Sequence, residues 1–323
     1  MLPERDAVHA LFAGAPAAVC DINEALAQSA AAEYGCKAYV STREMYEKER
    51  PDVVFLCVSP ELHPQLAIEA FDAGVHVWME KPPAMRAEDV ERMMERRGDR
   101  VAVVGFKIAF MPAAQKAIEI VRSDRFGPLL SMLAVYPLTI PEDGREILEK
   151  RKYTNWLGTG VHPLALLVAV GGKAEAVTVR RSRNGFGVCL IDFAGGVSAT
   201  FHLASGPFPI ESYRFFGSDW HLEIENSLRV KLQRGIPFDY MNTKSYIPEG
   251  TDSGMIVWEP QNHLATLENK ALFTQGFYNE MKYFCDCVLE GKPAEQGSLE
   301  FALEVMKVYE AALLSDGKTV PIT

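Results

Sequence analysis

Two textures of hydrophobic patterning divide the chain. In the first, short continuous apolar runs alternate with segments of helical period. Val53 to Val58 is unbroken and rich in β-branched residues, the mark of a parallel strand buried on both faces. Leu62, Leu66, Ala67, Ala70 and Phe71 then share one helical face, which Gly74 ends, and Val75 to Met79 reads as a second strand. Strand, helix and strand in this order predict a βαβ unit with a right-handed crossover. Around it the pattern predicts a strand at 17–20, a helix at 25–34 closed by Gly35, and a charged amphipathic helix at 86–97. A buried strand at 101–105 and a helix at 112–123 follow, with Pro112 near the helix start.

From Leu129 the period changes to two. Alternating segments at 129–136, 174–181, 187–193, 197–203, 211–217, 220–225 and 228–232 predict an antiparallel sheet. Arg183-Asn184-Gly185, Ala194-Gly195-Gly196 and Gly217-Ser218-Asp219 supply hairpin turns. One helix, 161–170, interrupts the sheet, residues 236–274 read as a long surface loop or lid, and helices at 277–289 and 299–315 close the chain. The expected fold class is therefore α/β followed by α+β. A parallel-sheet domain for dinucleotide binding covers 1–110, and a domain with an open antiparallel sheet covers 111–323.

Composition narrows the partners. A net charge of −10 and a pI near 5.3 argue against nucleic acid or an anionic membrane surface. No apolar run approaches the roughly 20 residues of a membrane span, and Glu4, Arg5 and Asp6 do not fit a signal peptide. Six scattered cysteines predict reduced thiols in a cytoplasmic protein, with Cys57 inside a core strand. Cys285 and Cys287 lie two apart on a helix, a poor metal pair, and no metal site is predicted.

Candidate chemistry gathers at strand ends. In open α/β sheets ligands lie beyond the carboxyl ends of the strands, where Ser59, His63, Lys81 and Lys107 fall. Pro82 keeps Lys81 in extended backbone, which aims its side chain. Asp21, after the strand at 17–20, can accept hydrogen bonds from ribose hydroxyls and repel a 2′-phosphate; equally, Asp or Asn there can cap the next helix. The G-x-G-x-x-G turn that would meet a pyrophosphate is not found before Asp21, where Gly14 is the sole glycine. His162 lies in the first turn of its helix, a place for either a structural or a functional histidine. Lys107, Tyr153, Asn155, Trp156 and His162 mix donors with a flat apolar surface suited to a sugar ring.

In combination these residues resemble the Gfo/Idh/MocA oxidoreductases. The likeness runs through Cys20-Asp21-Ile22-Asn23, Asp52-Val53-Val54 with Ser59-Pro60 and His63, and Ala73-Gly74-Val75-His76-Val77. It continues in Glu80-Lys81-Pro82, Gly160-Val161-His162 and Ser315-Asp316-Gly317-Lys318-Thr319-Val320. The resemblance implies a Rossmann domain, an α+β domain whose open sheet assembles a homodimer or tetramer, and NAD rather than NADP as cofactor. It implies hydride transfer to or from a hydroxyl or carbonyl of a small sugar-like or cyclitol substrate. Lys81 would assist proton transfer and His162 would be its acid/base partner. Asp21 and Asn23 would serve the ribose, and Ser59, Pro60, His63, Glu80 and Lys81 the nicotinamide half. The family's usual Asp four residues before that His is Gly158 here, and its frequent Asp three residues after is Ala165. Tyr153 or Asn155 could supply a hydrogen bond in its place. The alternative these departures imply is a non-catalytic family member acting as a binding or structural subunit.

Overall fold

The computed structural model describes residues 16–207, 209–235, 240–241, 254–261 and 271–323. Most of the expected loop or lid at 236–274 lies outside the described residues. The chain forms two compact units, Met1–Lys107 with Leu264–Leu303, and Ile108–His263 with Glu304–Thr323.

In the first unit β1 (Ala18–Cys20) and β2 (Lys37–Tyr39) pair in parallel, and β3 (Val53–Leu56), β4 (His76–Met79) and β5 (Ala102–Val104) form a separate parallel sheet in that order. Helices Glu24–Tyr34, Thr42–Glu49, His63–Asp72 and Ala87–Arg97 connect the strands. β2 and the helix Thr42–Glu49 escape the sequence pattern. β2 has three residues, two of them exposed, and the helix is charged along most of its length. β3 stops at Leu56, so Cys57 is exposed rather than a core residue. The strand ends early because β4 pairs only as far as Leu56↔Met79, and the next bond joins the Glu80 N–H to the Leu56 carbonyl.

One face of this sheet is covered by the helix Phe277–Glu290. Trp78, Val101 and Val103 pack with Phe277, Met281, Phe284 and Cys285. Phe55 lies edge-on to Phe284 at 5.8 Å and tilted to Trp78 at 5.9 Å. Gly105 permits this packing, because a Cβ there would stand 2.7 Å from the Trp78 ring.

The second unit is built on a nine-stranded sheet. Its strands are β6 (Leu129–Tyr136), β7 (Ala174–Arg181), β8 (Gly187–Phe193), β9 (Ser198–Leu203), β10 (Ser212–Gly217), β11 (His221–Glu225), β12 (Arg229–Gln233), β13 (Ile256–Trp258) and β14 (Val320–Pro321). Their order is β13-β12-β11-β10-β6-β9-β8-β7-β14. The three expected hairpins form at β7–β8, β8–β9 and β10–β11. The sheet is mixed rather than antiparallel, since β6 and β9 run parallel from Ser131↔Ser198 to Tyr136↔Leu203. Period-two alternation fixes which face each residue takes but not the direction of a neighbour more than sixty positions away in the chain. The buried face carries Met132, Ile191, Phe201, Phe215 and Ile224, and the helix Val161–Gly171, apolar nearly all round, is buried from Val161 to Val168.

Arg181 closes this unit. Its guanidinium donates to the carbonyls of Ile140 (3.1 Å), Ser315 (2.7 Å) and Ala312 (3.2 Å). Two of these lie at the end of the helix Leu299–Leu314, where orphan carbonyls and the helix dipole both favour a cation. The fully buried Ser315 hydroxyl accepts the Val179 N–H at 2.8 Å and donates to the Lys318 carbonyl at 2.7 Å.

Two substitutions test these packings by denaturant unfolding. Gly105→Ala forces a methyl into a rigid, fully buried indole and is expected to cost about 1–3 kcal/mol. Arg181→Met keeps the apolar stem but strands three carbonyls, and is expected to cost about 2–3 kcal/mol.

Candidate active site

The first unit presents its chemistry at three strand ends. The Glu80-Lys81-Pro82 turn is held on both flanks. The Glu80 N–H donates to the Leu56 carbonyl at 3.0 Å, and the Met79 carbonyl accepts the Gly105 N–H at 2.9 Å. The Lys81 N–H donates to the Glu80 carboxylate at 2.9 Å, and the Lys81–Pro82 peptide is cis. Lys81 is half-buried between Met79 and Pro82, both buried. Its ammonium thus leaves an anchored backbone.

His63 stands in the first turn of its helix and is fully buried. Its Nδ1–H donates to the Pro82 carbonyl at 3.0 Å, so the ring braces the turn that follows Lys81. Burial pushes the imidazole below its ordinary range, and this outweighs the carbonyls of Pro82 and Leu56. His76 is lowered as well, by burial and by the Arg100 charge, while its Nδ1 accepts the Val101 N–H at 2.8 Å.

Asp21 lies exposed just past β1. Its Oδ1 accepts the Asn23 N–H at 2.8 Å, and Asn23 in turn caps the following helix by accepting from Ala25 and Leu26. Of the two uses open to Asp21, capping therefore belongs to Asn23. A groove of about 1800 Å³ separates β1 from β3, reaching Asp21, Ser41, Tyr46, Ser59, Leu66 and Glu69. Sequence reasoning passed over Ser41 and Tyr46 because the helix Thr42–Glu49 carried no apolar period. Burial pushes the Tyr46 hydroxyl far above its usual range, and it finds no hydrogen-bond partner among the described residues. Lys107 is half-buried, with its ammonium 4.6 Å from the Phe277 ring centre and 3.4 Å from the Gln275 carbonyl oxygen.

In the second unit His162 is buried at the start of the helix Val161–Gly171, one turn past Gly158. Tyr153 and Asn155 are exposed, and the Asn155 Oδ1 accepts the Thr159 hydroxyl at 2.7 Å. Trp156, expected as a flat sugar-facing surface, is instead a core residue with no exposure. Its ring packs on Phe201 at 6.1 Å and its Nε1–H donates to the Tyr309 carbonyl at 3.2 Å. Its place in the short helix Asn155–Gly158 turns it onto the buried face of the sheet. Among the described residues no cluster of His, Cys, Asp and Glu could hold a metal, and no helix is long and apolar enough to cross a membrane.

Asp21 and Ser59 are both exposed at strand ends of the first unit and both line the groove.

Residues 5–108 match the model of an oxidoreductase family with an NAD-binding Rossmann fold. Over this stretch the chain is similar to the Gfo/Idh/MocA oxidoreductases. It is 27% identical over 225 residues to a dTDP-3,4-didehydro-2,6-dideoxy-alpha-D-glucose 3-reductase of Streptomyces violaceoruber, covering 66% of this chain and 65% of that protein. It is 34% identical over 94 residues to an inositol 2-dehydrogenase of Salmonella paratyphi B, covering 28% of each. These matches thus span under two thirds of either relative. An oxidoreductase from Agrobacterium radiobacter, solved with NAD+, L-tartaric acid and magnesium, shares the fold. It superposes with a TM-score of 0.76 at 16% identity, over 98% of this chain and 94% of that one.

The two lowered histidines give a pH prediction. Each is neutral when folded and protonates near pH 6.5 when unfolded, so their contribution is complete above about pH 6.5. It is lost as the pH falls from there through the lower folded-state values. Denaturant midpoints measured from pH 8 to 5 are expected to drop across this window, and less steeply in His63→Gln or His76→Gln.

Proposed function

We propose that the protein is an NAD-dependent oxidoreductase acting at a hydroxyl or carbonyl of a sugar-like or cyclitol substrate. The observation that carries this reading is the braced Glu80-Lys81-Pro82 turn, which anchors the backbone of a lysine at the carboxyl end of a buried parallel strand. The relatives' sugar and inositol chemistry supports the substrate class. A bound nicotinamide would supply or accept the hydride. Asp21 would accept hydrogen bonds from the ribose hydroxyls and repel a 2′-phosphate, favouring NAD over NADP. Asn23 holds the carboxylate in place through its backbone N–H. Ser59, Pro60 and Glu80 would line the nicotinamide half, with His63 holding the turn from behind. Lys81 would hydrogen-bond the reacting oxygen and carry its proton, and His162 in the second unit would act as acid/base partner. Lys107, Tyr153 and Asn155 would be offered to substrate hydroxyls. The protein would work in the cytoplasm, as a homodimer or tetramer joined through the nine-stranded sheet.

A second reading, a non-catalytic family member acting as a binding or structural subunit, draws on Gly158 and Ala165, where carboxylates are usual.

Titrating the protein with NADH and following cofactor fluorescence tests the first reading, together with turnover of NAD+ on a panel of aldoses and cyclitols. Saturable binding is expected, and turnover that falls at least about a thousandfold in Lys81→Ala. Binding without any turnover favours the second reading, and no binding at millimolar NADH rejects the first. Asp21→Ser is expected to raise the preference for NADP over NAD by on the order of tenfold, read as the ratio of kcat/KM values.

A further inference from the structure

We infer that Glu80 is a positioning residue for Lys81, its carboxylate standing in for a partner that the sheet no longer supplies at that point. The inference rests on the reading of Lys81 as the proton carrier and lies wholly within the first unit.

The register of the sheet shows what is missing. β4 and β5 run in parallel, with Val77 opposite Ala102 and Met79 opposite Val104. The Val77 N–H donates to the Val101 carbonyl at 2.9 Å, and the Met79 carbonyl accepts the Gly105 N–H at 2.9 Å. Val77 and Met79 thus turn their backbone groups towards β5. Continued two residues at a time, this register would bring the Lys81 N–H to the Gly105 carbonyl.

The neighbouring chain has left the sheet before that point. β5 ends at Val104, the Phe106 N–H turns back to the Val104 carbonyl at 2.8 Å, and a short helix begins at Lys107. On the other flank β3 ends at Leu56, whose carbonyl accepts the Glu80 N–H. The Lys81 N–H is met instead by the Glu80 side chain, whose Oε2 accepts it at 2.9 Å. A donor in a half-buried turn is costly to leave without a partner, and a carboxylate makes the stronger, charge-assisted bond.

This bond joins adjacent residues, so it holds the Lys81 backbone to the end of β4 with no help from a neighbouring strand. Glu80 secures the near side of the lysine, and His63, through the Pro82 carbonyl, secures the far side. An anchored backbone narrows the directions open to the lysine side chain, and a misplacement of about 1 Å at a reacting group costs on the order of a hundredfold in rate. The Glu80 carboxylate thus acts on the reaction through Lys81.

The test uses the full chain and two readouts. The first is hydrogen exchange at the Lys81 amide, followed by NMR in protein carrying isotope-labelled lysine and assigned by the loss of that signal in Lys81→Ala. Glu80→Ala is expected to speed this exchange at least about tenfold. Glu80→Gln keeps an acceptor oxygen and is expected to stay within about threefold of the unaltered chain. The second readout is turnover, corrected for the folded fraction by circular dichroism. Glu80→Ala is expected to lower kcat by on the order of a hundredfold while KM for NAD+ stays within about threefold, and Glu80→Gln to recover most of the loss. Unchanged exchange at Lys81 in Glu80→Ala overturns the inference whatever the turnover. So does faster exchange with kcat unaltered, or a rise in KM in place of the fall in kcat, which would make Glu80 a cofactor contact. A loss in Glu80→Gln as deep as in Glu80→Ala overturns it too, since the charge and not the bond would then matter. Undiminished turnover in Lys81→Ala, or none in the unaltered chain, overturns the reading of Lys81 and the positioning role with it.

Discussion

The first unit depends on the burial of Trp78. This indole, without exposure, lies under the helix Phe277–Glu290 and against the bare backbone of Gly105. Packed side chains in a close-packed interior leave little freedom to the strand that carries them. β4 therefore ends in one place, and the three residues after Trp78 deliver Lys81 from that fixed end. His63 adds a bond from the other side of the turn. The placement of the Lys81 backbone thus draws its precision from an apolar contact.

The second unit solves a different problem. A long sheet with one buried face needs a cover, and the helix Val161–Gly171 supplies one that is apolar nearly all round. Such a helix has no polar stripe to set its rotation in the core. The short helix Asn155–Gly158 that leads into it is held by side chains with defined partners: Trp156 to the Tyr309 carbonyl, Thr154 to the Leu157 N–H, and Thr159 to Asn155. His162 inherits its placement from these neighbours.

The sequence revealed most where local pattern and tertiary role agree. The run from Val53, the amphipathic helix after it and the strand before Glu80 were all legible from unbroken or helical apolar patterns, although β3 is only half-buried as far as Phe55 while β4 is buried from Val77 to Met79. β2 and the helix Thr42–Glu49 were not, since one is too short and the other too charged to carry a period. The parallel β6–β9 pairing was invisible because direction is decided by topology, not by alternation. In the site, Lys81 was legible from its strand end and its proline. Which residue caps the helix after β1 needed hydrogen bonds to decide, and the burial of Trp156 was not legible because one step along a short helix, from Asn155 to Trp156, exchanges surface for core.

The last strand of the large sheet has a consequence for handling the protein. β14 is only two residues long and pairs Val320 and Pro321 with Val177 and Ala176 on the outer side of β7. An unpaired strand edge is a template for another chain, and a short strand containing proline blunts it, because proline offers no donor to the next strand. The Ser315 hydroxyl and the Gly317 N–H, which reaches the Val179 carbonyl at 3.0 Å, steer the chain onto that edge. The final residues thus act as a selvedge, the finished border that keeps a woven cloth from being stitched to its neighbour. Trimming them would leave every residue of the candidate site in place and still yield a protein inclined to clump.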